Sequence, residues 1–343
     1  MTKLSTLKVV AAAAGICASM FAAGTASAYT YATSHLKVED LRINAYTANI
    51  PFGAAVVQGY SFSQNNSATL VNQNQTTTAS CGTNDINACP NSIPVLNAAA
   101  ANAPGSTVLR ADNNFAQLGF GNPNSSYSNA DSVLYTAELP MAQPNQIPPA
   151  TSLEMIAESL LNVNGSAQAN AIQNSTTSLT TVFDILQGGT GLTLNFAALG
   201  SLMSAVNGPQ GSYLAQSSMN VDFRLQRQGG GTVTWSPNGD VTGNGCKVTG
   251  LAGVTCTEIN DDADLNAETG ASFNPDSDAY SFVRSLFGID IQGLDDGNYT
   301  LVLNAKVTTD VSRKVPEPDA LALLGIALAG LAFVSKRKAS KQA

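Results

Sequence analysis

The sequence predicts a mainly β protein: an antiparallel β-sandwich of jelly-roll type with one or two inserted helices, preceded by an N-terminal signal peptide and followed by a C-terminal transmembrane helix. Three observations carry that expectation. Several short segments alternate apolar and polar residues with period two, the repeat of a half-buried strand. Charged residues make up only 12% of the chain while Asn, Ser, Thr, Ala and Gly are abundant, a profile suited to an extracellular β-rich body. The longest apolar runs lie at the two ends and not inside the body.

Met1–Ala28 comes first. Lys3 and Lys8 form a basic start, Val9–Ala23 a hydrophobic stretch, and Ala26-Ser27-Ala28 an A-x-A cleavage site that makes Tyr29 the new N-terminus. A packed N-terminal helix would not need small residues at that spacing. Cys17 lies in this leader and leaves with it.

Residues 29–312 are the exported body. Between Tyr29 and Asp319 lie all 24 acidic residues and 10 of the 16 basic ones, so the formal charge there is 10 − 24 = −14. An acidic surface repels phosphate backbones, which excludes nucleic acid as a partner, and it tolerates divalent cations. The body is long enough for one large sandwich or two smaller domains.

Within it, Leu41–Thr47, Ala54–Phe62 and Ser67–Val71 read as strands, and Asn72–Ser80 as an Asn/Gln/Thr tract that packs no core. Ser92–Asn129 reads as irregular and Ser132–Leu139 as a strand, and the Pro/Gln-rich segment 140–150 marks an internal boundary or linker. Thr151-Ser152-Leu153-Glu154 fits a capping box, so Ser152–Asn162 is predicted helical. Asn195–Val206 is predicted as a second helix, stopped by Asn207-Gly208-Pro209. Ser217–Ile259 is the clearest β region, with a turn at Gly229-Gly230-Gly231 and a hairpin signal at Asn238-Gly239. A final strand carries Tyr299, Leu301, Leu303, Ala305 and Val307 on one face and ends about eight residues before the next proline.

The four body cysteines, Cys81, Cys89, Cys246 and Cys256, fall into two local groups. In an oxidising compartment the grouping suggests bridges 81–89 and 246–256, each stabilising by roughly 2–3 kcal/mol at most. The second is read as closing a hairpin folded about Leu251, which sets Cys246 opposite Cys256. Neither pair is C-x-x-C, and one histidine cannot complete a typical Cys/His zinc site.

That histidine, His35, would have to serve any Ser-His-Asp triad or Cys-His dyad, and no G-x-S-x-G elbow accompanies it. It is read as a surface residue near a mobile terminus, and no catalytic residue is assigned. Glycoside hydrolysis needs only two carboxylates, so a sugar-cleaving or sugar-binding module stays open, although Trp235 is the one tryptophan available for stacking. Asp261, Asp262, Asp264, Asn266 and Glu268 have the oxygen-rich spacing of a calcium loop. An EF-hand register from Asp262 fails, with Ala267 sixth and Phe273 twelfth. The cluster is either a calcium site of another kind or a solvated acidic turn, and calcium is the one cofactor left open.

The tail, residues 313–343, contains Pro316-Glu317-Pro318, an apolar run from Ala320 to Val334, and Lys336-Arg337-Lys338. The prolines hold the first part extended. The apolar run, helical at about 1.5 Å per residue, spans roughly 23 Å, short for a bilayer core of about 30 Å. Spacing alone also fits an ordinary single-pass anchor with its cations on the cytoplasmic side. In their order, these three features resemble the PEP-CTERM sorting signal of exported bacterial proteins. The resemblance implies an inner-membrane intermediate, recognition by a membrane-embedded exosortase, removal or transfer of the tail, and a Gram-negative cell-surface or exopolysaccharide setting. It says nothing of the body's activity. Two readings of the body remain: a non-enzymatic surface or matrix protein acting by adhesion or scaffolding, and a carbohydrate-binding or carbohydrate-cleaving module. Exposed aromatics beside paired carboxylates in a groove would favour the latter.

Overall fold

The computed structural model describes residues 28–47, 55–82, 95–119, 125–136, 150–181, 190–208, 211–240, 245–273, 275–295 and 297–314. Among them every regular element is a strand. In chain order these are β1 (Tyr29–Tyr46), β2 (Ala55–Leu70), β3 (Gln73–Gly82), β4 (Val95–Asn102), β5 (Tyr127–Thr136), β6 (Thr151–Leu161), β7 (Gly165–Thr181), β8 (Thr190–Asn207), β9 (Ser212–Arg227), β10 (Thr232–Trp235), β11 (Cys246–Thr249), β12 (Thr255–Asp261), β13 (Glu268–Ala271), β14 (Asp276–Leu294) and β15 (Gly297–Lys314). They form two antiparallel sheets. The first has the order β12-β14-β8-β1-β6-β5-β4; the second has the order β11-β10-β9-β15-β7-β2-β3, with β13 added beside β9.

Alternation builds the core between the sheets. Leu36, Met155, Leu192 and Phe287 of the first sheet join Met219, Phe223, Leu301 and Val307 of the second in one apolar cluster. Full burial of such a side chain stabilises by about 1.5–3 kcal/mol. β15 shows the pattern plainly: Tyr299, Leu301, Ala305, Val307, Thr309 and Val311 are buried, and Thr300, Val302, Asn304, Lys306, Thr308 and Asp310 alternate with that inward face.

Both predicted helices are strands. Ser152–Asn162 corresponds to β6, which pairs with β1 and β5 along its length. Its residues from Met155 to Leu161 are all buried, because the loop 103–119 covers the outer face of the sheet there and packs Val108 and Leu118 against Tyr31, Tyr127 and Leu160. Burial on both faces erased the alternation that identifies a strand, and good helix formers did the rest. Asn195–Val206 lies in β8, paired with both β1 and β14. Small residues are needed there for close packing: a Cβ on Gly200 would lie 2.7 Å from the Phe282 ring and 2.9 Å from the Met219 methyl.

Three loop readings also change. The described parts of Ala54–Phe62 and Ser67–Val71 belong to one strand, β2, from Ala55 to Leu70, with Val71 in the turn that follows; Asn72–Ser80 lies almost wholly in β3; and Ser92–Asn129 contains β4. Residues 137–149 lie outside the described residues, and the strands on either side of them, β5 and β6, are hydrogen-bonded neighbours in one sheet. The Gly229–Gly231 turn between β9 and β10 is present, with all three glycines at positive φ.

Candidate functional site

Both ends of the described body leave from one pole. β1 starts at Tyr29, opposite Asn207 of β8, and β15 ends at Lys314, opposite Ser212 of β9. Arg313, buried, crosses between the sheets and donates from Nη1 to the Ala28 carbonyl at 2.9 Å. Gly208 lets Tyr213 and Ala28 close over this corner; a Cβ there would lie 2.6 Å from the Tyr213 hydroxyl. Of the expected cleavage-site residues, Ala26 lies outside the described residues, Ala28 is buried and Tyr29 opens β1.

The last strand is longer than the sequence indicated. β15 reaches Lys314, so Val315 alone separates it from Pro316. The spacer expected before the Pro-Glu-Pro is therefore absorbed into a central strand. Pro316, Glu317, Pro318 and the apolar run lie outside the described residues, as does the leader. Among the described residues no helix is long and apolar enough to cross a membrane.

Four of the five oxygen-bearing residues of the acidic turn serve separate structural bonds. Asp261, buried, accepts the Asn238 N–H at 2.9 Å, and burial raises its carboxyl above the usual range. Asp262 accepts the Leu286 N–H at 3.1 Å, and Asp264 accepts that of Asn266 at 2.7 Å. Asn266 bridges to the Pro237 carbonyl and the Val221 N–H, while Glu268 is exposed at the start of β13. Among the described residues no three His, Cys, Asp or Glu side chains are grouped to hold a metal.

Cys246 and Cys256 form a disulfide with Cα atoms 6.0 Å apart. The expected hairpin is absent: β11 pairs with β10 in the second sheet and β12 with β14 in the first. The bridge therefore staples the two sheets together along one side. Cys81 lies in β3 opposite Phe62, and Cys89 is outside the described residues. His35 stands mid-strand in β1, with Nε2 3.0 Å from Glu154 Oε1 across the β1–β6 pair, and not at a loose terminus.

A buried polar network escaped sequence reasoning. Arg110 Nη2 meets Glu158 Oε2 at 2.6 Å, with both side chains fully buried. Glu158 also accepts the Tyr31 hydroxyl at 2.5 Å and the N–H groups of Leu118 and Gly119 at 3.0 and 2.8 Å. Burial pushes the Tyr31 and Tyr127 hydroxyls up, and the Glu158 charge adds to it. Nearby Asp131, pushed up to about 6 by burial, accepts the Asn113 N–H at 2.7 Å. Through Arg110, Asn113, Leu118 and Gly119 these bonds tie loop 103–119 to the sheet. The arrangement is a clamp, closed to solvent.

Among the described residues, two surfaces face solvent with a distinct character. One is a groove of about 420 Å³ on the outer face of β9, β10 and β15, lined by Asp222, Arg224, Thr234, Asn238, Lys247, Asn266 and Asn304 among others. Asp222 is the one acid in its lining. Trp235, 1% exposed beneath it, donates its indole N–H to Glu258 at 2.8 Å and offers no stacking face.

The other is the flank formed by β7, β2 and β3. No charged residue occurs from Ile43 to Asn84, nor in β7. Thr76, Ser67, Asn170, Thr308 and Ser218 stand in register across five strands, bordered by a row of Asn74, Thr69 and Gln168. Asn170 donates to Ser67, and Thr69 to Asn74. Along β7, β2 and β3 the result is a broad face of hydroxyls and amides without charge; charge begins at β15, where Asp310 accepts from Gln168 at 3.0 Å.

Among curated proteins none matches this chain. A solved structure of infectious bursal disease virus, Gx strain, aligns at 11% identity over 86% of this chain and 82% of its own, with a TM-score of 0.10, and carries no argument about fold. Residues 314–338 match the PEP-CTERM protein-sorting motif, beginning at the last residue of β15. The chain thus carries a PEP-CTERM protein-sorting motif at residues 314–338, which indicates an exported protein sorted via the membrane and implies processing by an exosortase-type system.

Proposed function

We propose that the body is a non-enzymatic adhesive or scaffolding protein of the Gram-negative cell surface or exopolysaccharide layer, delivered there through an inner-membrane intermediate. The observation that carries this reading is the uncharged flank of β7, β2 and β3. Sugar hydroxyls both donate and accept, and so do the side chains of Ser, Thr, Asn and Gln. Each such contact contributes about 1 kcal/mol or less. Many copies held at one surface turn weak contacts into avidity. An acidic body could not use its charged faces in the same way on an anionic polysaccharide.

The groove over Trp235 favours a second reading, a carbohydrate-binding module with a defined sugar site. Carboxylate-pair hydrolysis has little support there, because Asp222 is the only acid lining it.

A glycan array probed with full-length protein, with and without calcium, separates these readings. Broad, weak binding to neutral polysaccharides, unaffected by Arg224→Ala, supports the adhesive reading. Binding to one oligosaccharide that Arg224→Ala removes supports the groove. Release of sugar from any glycan overturns the non-enzymatic assignment. Intact-mass measurement on envelope protein tests delivery: loss of residues 1–28 and of the tail is expected. Changing Pro316, Glu317 and Pro318 to alanine should leave the tail in place.

A further inference from the structure

The two sheets have four outer edges, and three are protected. β12 is bulged between Glu258 and Asn260, and β11 is four residues long; the Cys246–Cys256 bridge ties both. β4 is bulged between Ala98 and Ala101, and its outward N–H groups are taken by side chains: Ala98 by Gln64 at 3.1 Å, Ala100 by Asp112 at 2.7 Å and Asn102 by Gln75 at 3.0 Å. Such devices are the usual means by which native sheets avoid pairing with other chains.

β3 has none of them. Its ten residues pair with β2 in unbroken register from Ser61 opposite Gly82 to Leu70 opposite Gln73. It contains no charge, proline or bulge, it is exposed along Gln73–Thr76, and among the described residues no strand lies on its far side. A sheet edge of this kind is a template for strand addition.

We propose that β3 pairs antiparallel with β3 of a second copy of this chain, joining two second sheets across a two-fold axis near Thr77. Charge selects that occupant. The body carries a formal charge of −14, so most contacts between copies bring like charges together. Along β3 there are none. With the axis near Thr77, Thr76 meets Thr78 and Asn74 meets Ser80, uncharged side chains of which threonine suits cross-strand pairing. The pairing does not depend on the adhesive reading and goes beyond it: it is a contact between copies, whatever the flank binds.

The test compares full-length protein, Thr76→Lys/Thr78→Lys and Thr76→Val/Thr78→Val by sedimentation velocity in a mild detergent that shields the apolar tail. Both pairs of substitutions fall on the exposed outer face of β3, and thermal melts check that folding is unchanged. Wild type and the valine variant should dimerise, and the lysine variant should dimerise roughly tenfold or more weakly. If the lysine variant fails to fold, the single Thr78→Lys change carries the same comparison. A monomeric wild type, or a lysine variant that associates as tightly as wild type, overturns the proposal.

Discussion

Along one side of the sandwich, Cys246 of β11 and Cys256 of β12 join the edges of the two sheets covalently. Along the other, β2 and β3 are tied to β4 by side-chain hydrogen bonds: Asn66 of β2 donates to the carbonyls of Ala98 and Ala99, Thr77 of β3 also to that of Ala99, and Gln64 and Gln75 accept from β4 N–H groups. The difference follows the distribution of charge. The disulfide side sits among Lys247, Glu258, Asp261 and Asp262, where a polar seam would draw in unbalanced carboxylates. The amide side carries no charge within β2, β3 and β4, so most of its polar groups satisfy one another, the Ala100 N–H that Asp112 accepts being the exception. A reducing agent should therefore loosen the side held by Cys246 and Cys256.

That contrast can be broken at graded cost. The largest effect is expected from Glu158→Ala, which strands Arg110 in the interior and releases loop 103–119 beside the amide side. Removing one partner of a buried pair costs about 3–5 kcal/mol, read as a fall in the urea midpoint with or without reductant. Next is Cys246→Ser/Cys256→Ser, with a loss of roughly 2–3 kcal/mol read as a fall in the urea midpoint without reductant.

Asp131→Asn should act in the opposite direction, stabilising by on the order of 1–2 kcal/mol at pH 7. The folded carboxyl is held at about 6, above its ordinary value, so its protonation favours the folded state. That contribution is complete below the unfolded value near 4 and is lost as pH rises through about 6. The variant should thus melt higher than wild type at pH 7 and alike at pH 4. The smallest effect is expected from Gln75→Ala, under about 1 kcal/mol, because water can replace its bond to the exposed Asn102 N–H.

The sorting tail and the antiparallel β class were legible because each rests on a local pattern: Pro-Glu-Pro before an apolar run and basic stop, and period-two alternation in β9 and β15. The pairing of Cys246 with Cys256 was legible from sequence proximity, but its role was not, since nothing in ten residues announces that the strands belong to different sheets. β6 and β8 were misread because two-sided burial removes the polar half of the strand repeat. The Arg110–Glu158 clamp joins residues 48 apart in sequence, and neither carries a local signal. The Asn/Gln/Thr tract was visible as composition. Its place in an edge strand depends on β2 beside it and on the β4 groups that its side chains satisfy.

The central claim is that the uncharged flank, and not the groove, holds the polysaccharide layer. It is tested most directly by co-sedimenting full-length protein with purified exopolysaccharide of its host across a salt series. Contacts without charge are insensitive to screening. Retention should be unchanged between low and high salt, should fall when Ser67 and Gln168 of the flank are both changed to glutamate, and should survive Arg224→Ala in the groove. Retention that salt abolishes, or that Arg224→Ala removes while the flank variant binds normally, would contradict the account.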